Sequence, residues 1–366
     1  MSILHTIRLP LVAVAATATL AACNPPPHDV VQRGYRGTGM ELVIDPEERA
    51  DSVAANALPE VIPPVPPGGP KAGDLYENIE VLGDLTVGEF TRVMASITQW
   101  VAPEEGCNYC HVPGNFASED VYTKKVARSM LAMTQRINED WGEKHVAPAG
   151  VTCYTCHRGQ AVPQYAWSHD PGPETSAKID TNGQNIASPT AAYSSLPYDP
   201  LTPFLEEDYP ISLQGNTALP TGPNVGTKQA EWTYSLMMHF SESLNANCTF
   251  CHNSRAFANW EQSPYQRVKA WHAIRMVRET NNGYIKPTGE WLPPHRLGPE
   301  GDVPKVSCMT CHQGAYKPMY GANMIDPYPS LATKTGVSVD MAEEAAAAKA
   351  ERDGPVPAVG NMGGGE

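Results

Sequence analysis

Four segments of the form Cys-x-x-Cys-His recur along this chain: Cys107/Cys110/His111, Cys153/Cys156/His157, Cys248/Cys251/His252 and Cys308/Cys311/His312. Two thiols at that spacing can form thioethers with the vinyl groups of one haem, and the histidine that follows then stands under the ring as the proximal iron ligand. Paired Cys-x-x-Cys units also build zinc sites, in which thiolates of two pairs converge on one ion. Zinc has no need of a histidine directly after the second cysteine in every copy, and a disulfide framework has no need of one in any copy. The pattern therefore reads as four covalently bound c-type haems.

Nine cysteines are present, so one of them, Cys23, lies outside the motifs. Residues 1–22 carry Arg8, an apolar run from Leu9 to Leu20 and the small pair Ala21-Ala22, the pattern of an export signal. Leu20-Ala21-Ala22-Cys23 resembles the processing box of bacterial lipoproteins, in which the cysteine becomes the lipid-modified first residue. The apolar run is short and broken by Pro10, Thr17 and Thr19, which makes it a poor spanning helix. Acylation of Cys23 with more than one chain would give durable anchoring and hold the protein on the periplasmic face of a membrane.

The frame that must position the motifs has to be rich in irregular structure, because 366 residues include 35 prolines and 30 glycines. Haem surface would stand in for part of the apolar core. A formal net charge of −14 argues against a nucleic-acid partner. It suits solubility, and it would also steer a basic carrier protein toward an acidic face. The expected fold is mainly α with extensive irregular structure. The proline content of 23–75 predicts a lipid-anchored extended segment. Residues 76–165 hold the first two motifs, 166–226 form a connector, 227–325 hold the last two, and 326–366 read as a disordered tail.

Comparison of the chain with itself at an offset of 143 pairs Met94 with Met237, Tyr122 with Tyr265, Met133 with Met276 and Asn138 with Asn281. That offset is too long for a solenoid repeat and fits a duplicated two-haem unit. Each motif then follows a helix. Thr86-Val87-Gly88-Glu89 is a capping box, after which Phe90, Met94, Ile97 and Val101 share a face. Ser263-Pro264-Tyr265-Gln266 predicts a second capping box, with proline at the first helical position. Helical spacing also runs through 119–141 and 228–244.

A helix laid over the distal face of a haem can present a methionine sulfur to the iron, and methionine ligation raises the reduction potential. The candidates are Met94, Met130 and Met237 for the first three haems. Met133 and Met238 are the immediate rivals, and methionine on an apolar face is ordinarily core filler. The offset puts Ala273 where Met130 stands, so the fourth haem needs another ligand. His145, His169, His239, His272 and His295 remain, of which His272 lies beside the vacant slot and His145 reaches the fourth haem only if the two halves pack with a twofold relation. The residues alone leave these two level. Arg267, Arg275 and Arg278 read as solvated charges, with pairing to haem propionates as the functional alternative.

Met130-Leu131-Ala132-Met133-Thr134, His145, the stretch from Val151 through Cys153-Tyr154-Thr155-Cys156-His157 to Gly159, and the stretch from Tyr234 through Met237-Met238-His239 to His252 together resemble the tetrahaem cytochrome subunit of purple-bacterial photosynthetic reaction centres. The resemblance spans about residues 74–325 and the lipoprotein box. It implies that Met94, Met130 and Met237 are distal ligands and that the fourth haem is held by His312 and His145. It implies two pseudo-twofold-related two-haem halves with four haems in a roughly linear row. A soluble periplasmic c-type cytochrome or a high-potential iron–sulfur protein would supply electrons. The L and M subunits would be neighbours, and the photo-oxidised bacteriochlorophyll special pair the acceptor, with no bond made or broken in a substrate. Two other classes compete: a multihaem reductase, which needs an iron with an open sixth position, and a quinol-oxidising cytochrome, which needs a membrane helix beside its haems.

Overall fold

The computed structural model describes residues 28–32, 41–170, 187, 189–211, 213 and 226–333. The leader, the lipidation expected at Cys23 and the stretch from 334 onward lie outside the described residues. The described chain is mainly helical. Its strands are confined to one antiparallel hairpin, β1 (Asp29–Gln32) with β2 (Glu41–Ile44), in which Val30 pairs with Val43.

Helix α1 (Pro46–Ala55) follows the hairpin directly, so the stretch 23–75 is not simply extended. The cause is local chemistry that a proline count overlooks. Asp45 caps the Glu47 amide, Pro46 opens the first turn where no hydrogen bond is lost, and Glu47 and Glu48 oppose the positive end of the helix.

Four longer helices carry the site. Helix α2 (Val87–Val101) starts at the capping box that its sequence predicts, with Thr86 and Glu89 satisfying each other's amides; the cap contributes about 1 kcal/mol. Helix α3 (Tyr122–Trp141) runs into a wide π turn at Gly142–Val146, and the short helix α4 (Cys153–His157) follows. Helix α5 (Thr227–Leu244) precedes α6 (Gln266–Thr280), which also runs into a π turn, Asn281–Ile285, before the short helix α7 (Cys308–His312). The capping box expected at Ser263 does not form. Its hydroxyl donates to the Asn259 carbonyl and accepts from Arg267, so α6 begins at Gln266 without a side-chain cap.

Two apolar clusters hold these helices. Ile137 and Trp141 of α3 meet Ile274, Met276 and Val277 of α6, with Leu201 and Leu205 packed between. Val93 and Trp100 of α2 meet Leu131, Tyr328 and Leu331, and the Trp100 and Tyr328 rings cross edge to face with centroids 4.7 Å apart. Sparse apolar residues in proline-rich sequence are therefore structural. Leu201 and Leu205 bring the described turn at 201–206, within the 166–226 segment, into the core. Tyr328 and Leu331, 1% and 0% exposed, pack into the core from the stretch whose composition reads as a tail.

Polar contacts knit α3 to α6 as well. Arg136 and Glu279 form a buried ion pair at 2.7 Å, Asp140 pairs with the same guanidinium, and Glu279 accepts from the Trp141 indole. Asn138 both donates to and accepts from the Val151 backbone. Asn281 does the same with Val306.

Candidate functional site

Each motif histidine is fixed by the backbone just beyond it. His111 Nδ1 contacts the Phe116 carbonyl at 3.2 Å and His252 Nδ1 the Phe257 carbonyl at 2.9 Å, each five residues on. His157 Nδ1 contacts the Gln160 carbonyl at 2.8 Å and His312 Nδ1 the Ala315 carbonyl at 2.9 Å, each three residues on. Donation from Nδ1 to a carbonyl fixes the tautomer and leaves Nε2 with its lone pair as the ligating atom, the arrangement common to metal-bound imidazoles.

Local sequence explains the two spacings. The first and third motifs sit on 3-10 turns, Gly106–Tyr109 and Cys248–Phe250. The second and fourth are the α-helical turns α4 and α7. There Thr152 and Ser307 take the N-cap positions, and Thr155 and Thr310 accept from their amides. Both helices end in left-handed residues, Arg158 (φ 51°) and Gln313 (φ 48°), which turn the chain back so that a carbonyl three residues past the histidine meets the ring.

The element contacts group the motifs. Helix α2 packs against the first motif's turn and against α4; α5 packs against α7; α4 and α7 touch each other. At that last contact the sulfurs of Cys156 and Cys311 are joined as a disulfide, with Cα atoms 4.5 Å apart. A sulfur committed to a disulfide cannot form a thioether, so this pairing and haem attachment at the same two positions are alternatives. Desolvation pushes the thiols of Cys153 and Cys308 up to about 12 and that of Cys251 up to about 11. Among the described residues no group of three or more His, Cys, Asp or Glu side chains is placed to hold a metal ion.

His145 stands in the π turn after α3 and faces His312, with ring centroids 6.0 Å apart. Two imidazoles that hold one metal ion from opposite sides, each through a nitrogen about 2 Å away, have centroids about 6 Å apart. Nδ1 of His145 is shielded from solvent and has no hydrogen-bond partner in the protein. Desolvation and the neighbouring His312 lower His145 to about 3, and desolvation lowers His312 to about 4. Both rings are therefore neutral, as iron ligation requires. His272 stacks edge-on against Trp271 and Trp141 instead. His169 pairs with Asp199, His239 is tied between the Thr190 carbonyl and Ser243, and His295 is exposed. The facing histidines, the fixed proximal rings and the paired thiols fit c-type haem.

Met94, Met130 and Met237 are half-buried on α2, α3 and α5. Thr98 and Thr134 donate back to the carbonyls of Met94 and Met130, the same i−4 bond at both sites. Met133 packs against the α3–α6 core, whereas Met130 stands outside both apolar clusters. Met237 and Met238 are half-buried alike. Arg267 and Arg275 stack on Trp260 and Trp271 at 3.9 and 3.5 Å. Arg278 is buried, bonded to the Phe204 carbonyl and paired with Asp208, and so is not the solvated charge its sequence suggests. The carbonyls that hold the proximal rings carry no side-chain signature in sequence. Phe116 and Phe257 are the exception, since both stand five residues past a motif histidine, and that match could have identified them.

Histidines fixed for ligation beside paired thiols, on a mainly helical frame, define a c-type cytochrome. The family model for the photosynthetic reaction centre cytochrome C subunit matches residues 24–332. The photosynthetic reaction center cytochrome c subunit of Thermochromatium tepidum is 51% identical over 98% of this chain and 87% of its own. The proteins of the same description from Rubrivivax gelatinosus and Roseobacter denitrificans are 49% and 42% identical, over 91% and 87% of this chain and 92% and 89% of theirs. The chain belongs to the family of reaction centre cytochrome c subunits: it carries covalently bound haem, transfers electrons and associates with the membrane-bound reaction centre. Among the described residues no helix is long and apolar enough to cross a membrane.

Proposed function

We propose that the chain carries four c-type haems in a row and re-reduces the photo-oxidised special pair of the reaction centre with electrons from a soluble periplasmic carrier. Each haem, when bound, supplies an iron that alternates between ferric and ferrous states. In this reading Cys107 and Cys110, Cys153 and Cys156, Cys248 and Cys251, and Cys308 and Cys311 provide the thioethers, which requires Cys156 and Cys311 to be free thiols when haem is loaded. His111, His157, His252 and His312 are the proximal ligands. Met94, Met130 and Met237 are the distal ligands of the first three irons, and His145 is that of the fourth. The observation that carries the reading is His145 facing His312 from the other end of the chain, at the separation one shared iron demands.

The two-half organisation, 76–165 and 227–325 joined by 166–226, is part of the same proposal. Its support lies in contacts between positions that match in the repeat. Arg136 and Glu279 are 143 residues apart and bond to each other, as matched positions do across a twofold axis. Asn138 and Asn281 make the same pair of backbone bonds, and the second cysteines of motifs two and four abut. The second and fourth haems would then occupy the middle of the row, the first and third its ends.

Lipidation of Cys23 would hold the subunit on the periplasmic face of the photosynthetic membrane, against the L and M subunits. The carrier would be a small c-type cytochrome or a high-potential iron–sulfur protein. The test is flash spectroscopy on isolated membranes. A single flash should oxidise haem in this subunit as the special pair recovers, and added reduced carrier should restore it. Haem that stays reduced through the flash, with a fully loaded complex, contradicts the proposal.

A further inference from the structure

Arg158 and Gln313 hold matched places, each directly after a motif histidine and each left-handed. Each also reaches the opposite motif: Arg158 Nη2 donates to the Cys311 carbonyl at 3.3 Å, and Gln313 Nε2 donates to the Cys156 carbonyl at 3.4 Å. One is a cation and the other is neutral. The remaining acceptors of Arg158 are the carbonyls of Thr155 and Ala55 and Oδ1 of Asn56, each at 3.1 Å and each uncharged. Among the described residues no carboxylate forms an ion pair with it. Arg158 is half-buried, and its contact with the Cys311 carbonyl places the guanidinium one residue from His312 in the chain, where solvent screens its charge only in part.

We propose that Arg158 sets the reduction potentials of the two middle haems, its guanidinium raising both, with Gln313 as the neutral counterpart that leaves the field asymmetric. A nearby positive charge favours ferrous iron, which carries one positive charge fewer than ferric. Arg158 adjoins His157 in the chain and meets the fourth motif in space, so both irons lie within its reach. Helix α1 serves this arrangement. Its last turn and Asn56, 4% exposed, hold the guanidinium in place, while Asn56 Nδ2 also donates to the Gln313 carbonyl.

The inference rests on the four-haem reading, and the two can fail separately. The experiment is a redox titration of the haem bands in membranes holding the whole complex, with covalent haem counted on the same samples. Arg158→Gln should keep four haems. At the wild-type midpoint it should lower the reduced-to-oxidised ratio of the two middle haems about tenfold, which is 59 mV for one electron. That is the size expected of one charge acting over about 10 Å at an effective dielectric near 20. The outer haems should move less. Arg158→Lys, which keeps the charge, and Asn56→Ala, which loosens the clamp, should stay close to wild type. Asn56→Asp, which would neutralise the guanidinium in place, should move the middle haems in the same direction as Arg158→Gln and serves if that variant does not assemble. Middle-haem ratios within twofold of wild type in a fully loaded Arg158→Gln or Asn56→Asp protein overturn the proposal. So does an Asn56→Ala shift as large as that of Arg158→Gln, which would make the clamp and not the charge responsible. Fewer than four covalent haems in the wild type would instead overturn the reading beneath it.

Discussion

The first and third motifs and the second and fourth motifs share one pentapeptide pattern yet are built differently. The first and third lie on 3-10 turns, leave Cys107 and Cys248 exposed, and hold their histidines through a phenylalanine carbonyl five residues on. The second and fourth lie on capped α-helical turns, shelter Cys153 and Cys308, and hold their histidines three residues on, with α4 and α7 in contact. The pentapeptide therefore specifies attachment, while the residues around it specify place in the molecule. A tight helical turn ending in a left-handed residue lets two motifs lie back to back. An open turn suits a motif at the periphery, where a redox partner can approach.

The largest effect should come from removing His145, the proposed second ligand of the fourth iron. On the proposed ligation, His145→Ala should abolish one bis-histidine low-spin signature in electron paramagnetic resonance and leave the signatures of the three methionine-ligated haems unchanged. Loss of a methionine signature instead would assign His145 to another iron. Ala273→Met should add no fourth methionine-ligated haem while His145 is present.

Next is the buried pair between α3 and α6. Glu279→Ala removes one of the two carboxylates on Arg136 and the acceptor of the Trp141 indole, and should cost about 1–3 kcal/mol, read as a lowered denaturation midpoint. A cost below about 1 kcal/mol would remove this pair from any role at the junction of the halves. The matched asparagines sharpen the same comparison. Asn138→Ala and Asn281→Ala each delete a side chain that bonds both ways to the backbone, and each should destabilise by about 1–3 kcal/mol. Costs that differ by more than about 2 kcal/mol would break the equivalence of the two positions.

Smaller effects are expected at the helix starts. Thr86→Ala removes a formed capping box and should cost about 1 kcal/mol, whereas Ser263→Ala, where no box forms, should cost about half of that or less. Smallest is an acid effect at Glu119, whose carboxyl is held down to about 2 from 4.5 by its hydrogen bond to Arg128, with Asn78 and Lys124 assisting. A depressed carboxylate stabilises the fold fully above pH 4.5, and that contribution fades as the pH falls toward 2. Glu119→Gln should lower stability slightly near neutrality, flatten the profile across that window and converge on wild type as the pH falls toward 2.

Much of this was legible in the chain because the haem motif is a local pattern with one strong reading, and because α2, α3 and α5 announce themselves by apolar spacing and, for α2, a cap. The Asn138 and Asn281 match at a fixed offset also survived as two identical bonding patterns. Other features depend on long-range packing. Leu205 and Tyr328 sit in proline-rich sequence whose composition predicts irregular chain, and long-range contact, with α6 for Leu205 and with α2 for Tyr328, makes them core. His145 and His272 stay level in the sequence for the same reason: His272 lies beside the vacant slot, while His145 can reach the fourth motif only through packing of the halves, a long-range contact that the His145–His312 approach supplies. The Ser263 cap failed because Asn259 and Arg267 compete for the same hydroxyl, a competition invisible in a four-residue pattern.

The central claim is that four attachment sites are filled and none of their sulfurs is diverted. Intact-mass measurement on the denatured, purified subunit tests it directly. The expected mass is that of the processed polypeptide carrying four haems, with Cys156 and Cys311 both in thioethers; a species with two haems and a Cys156–Cys311 disulfide would contradict it.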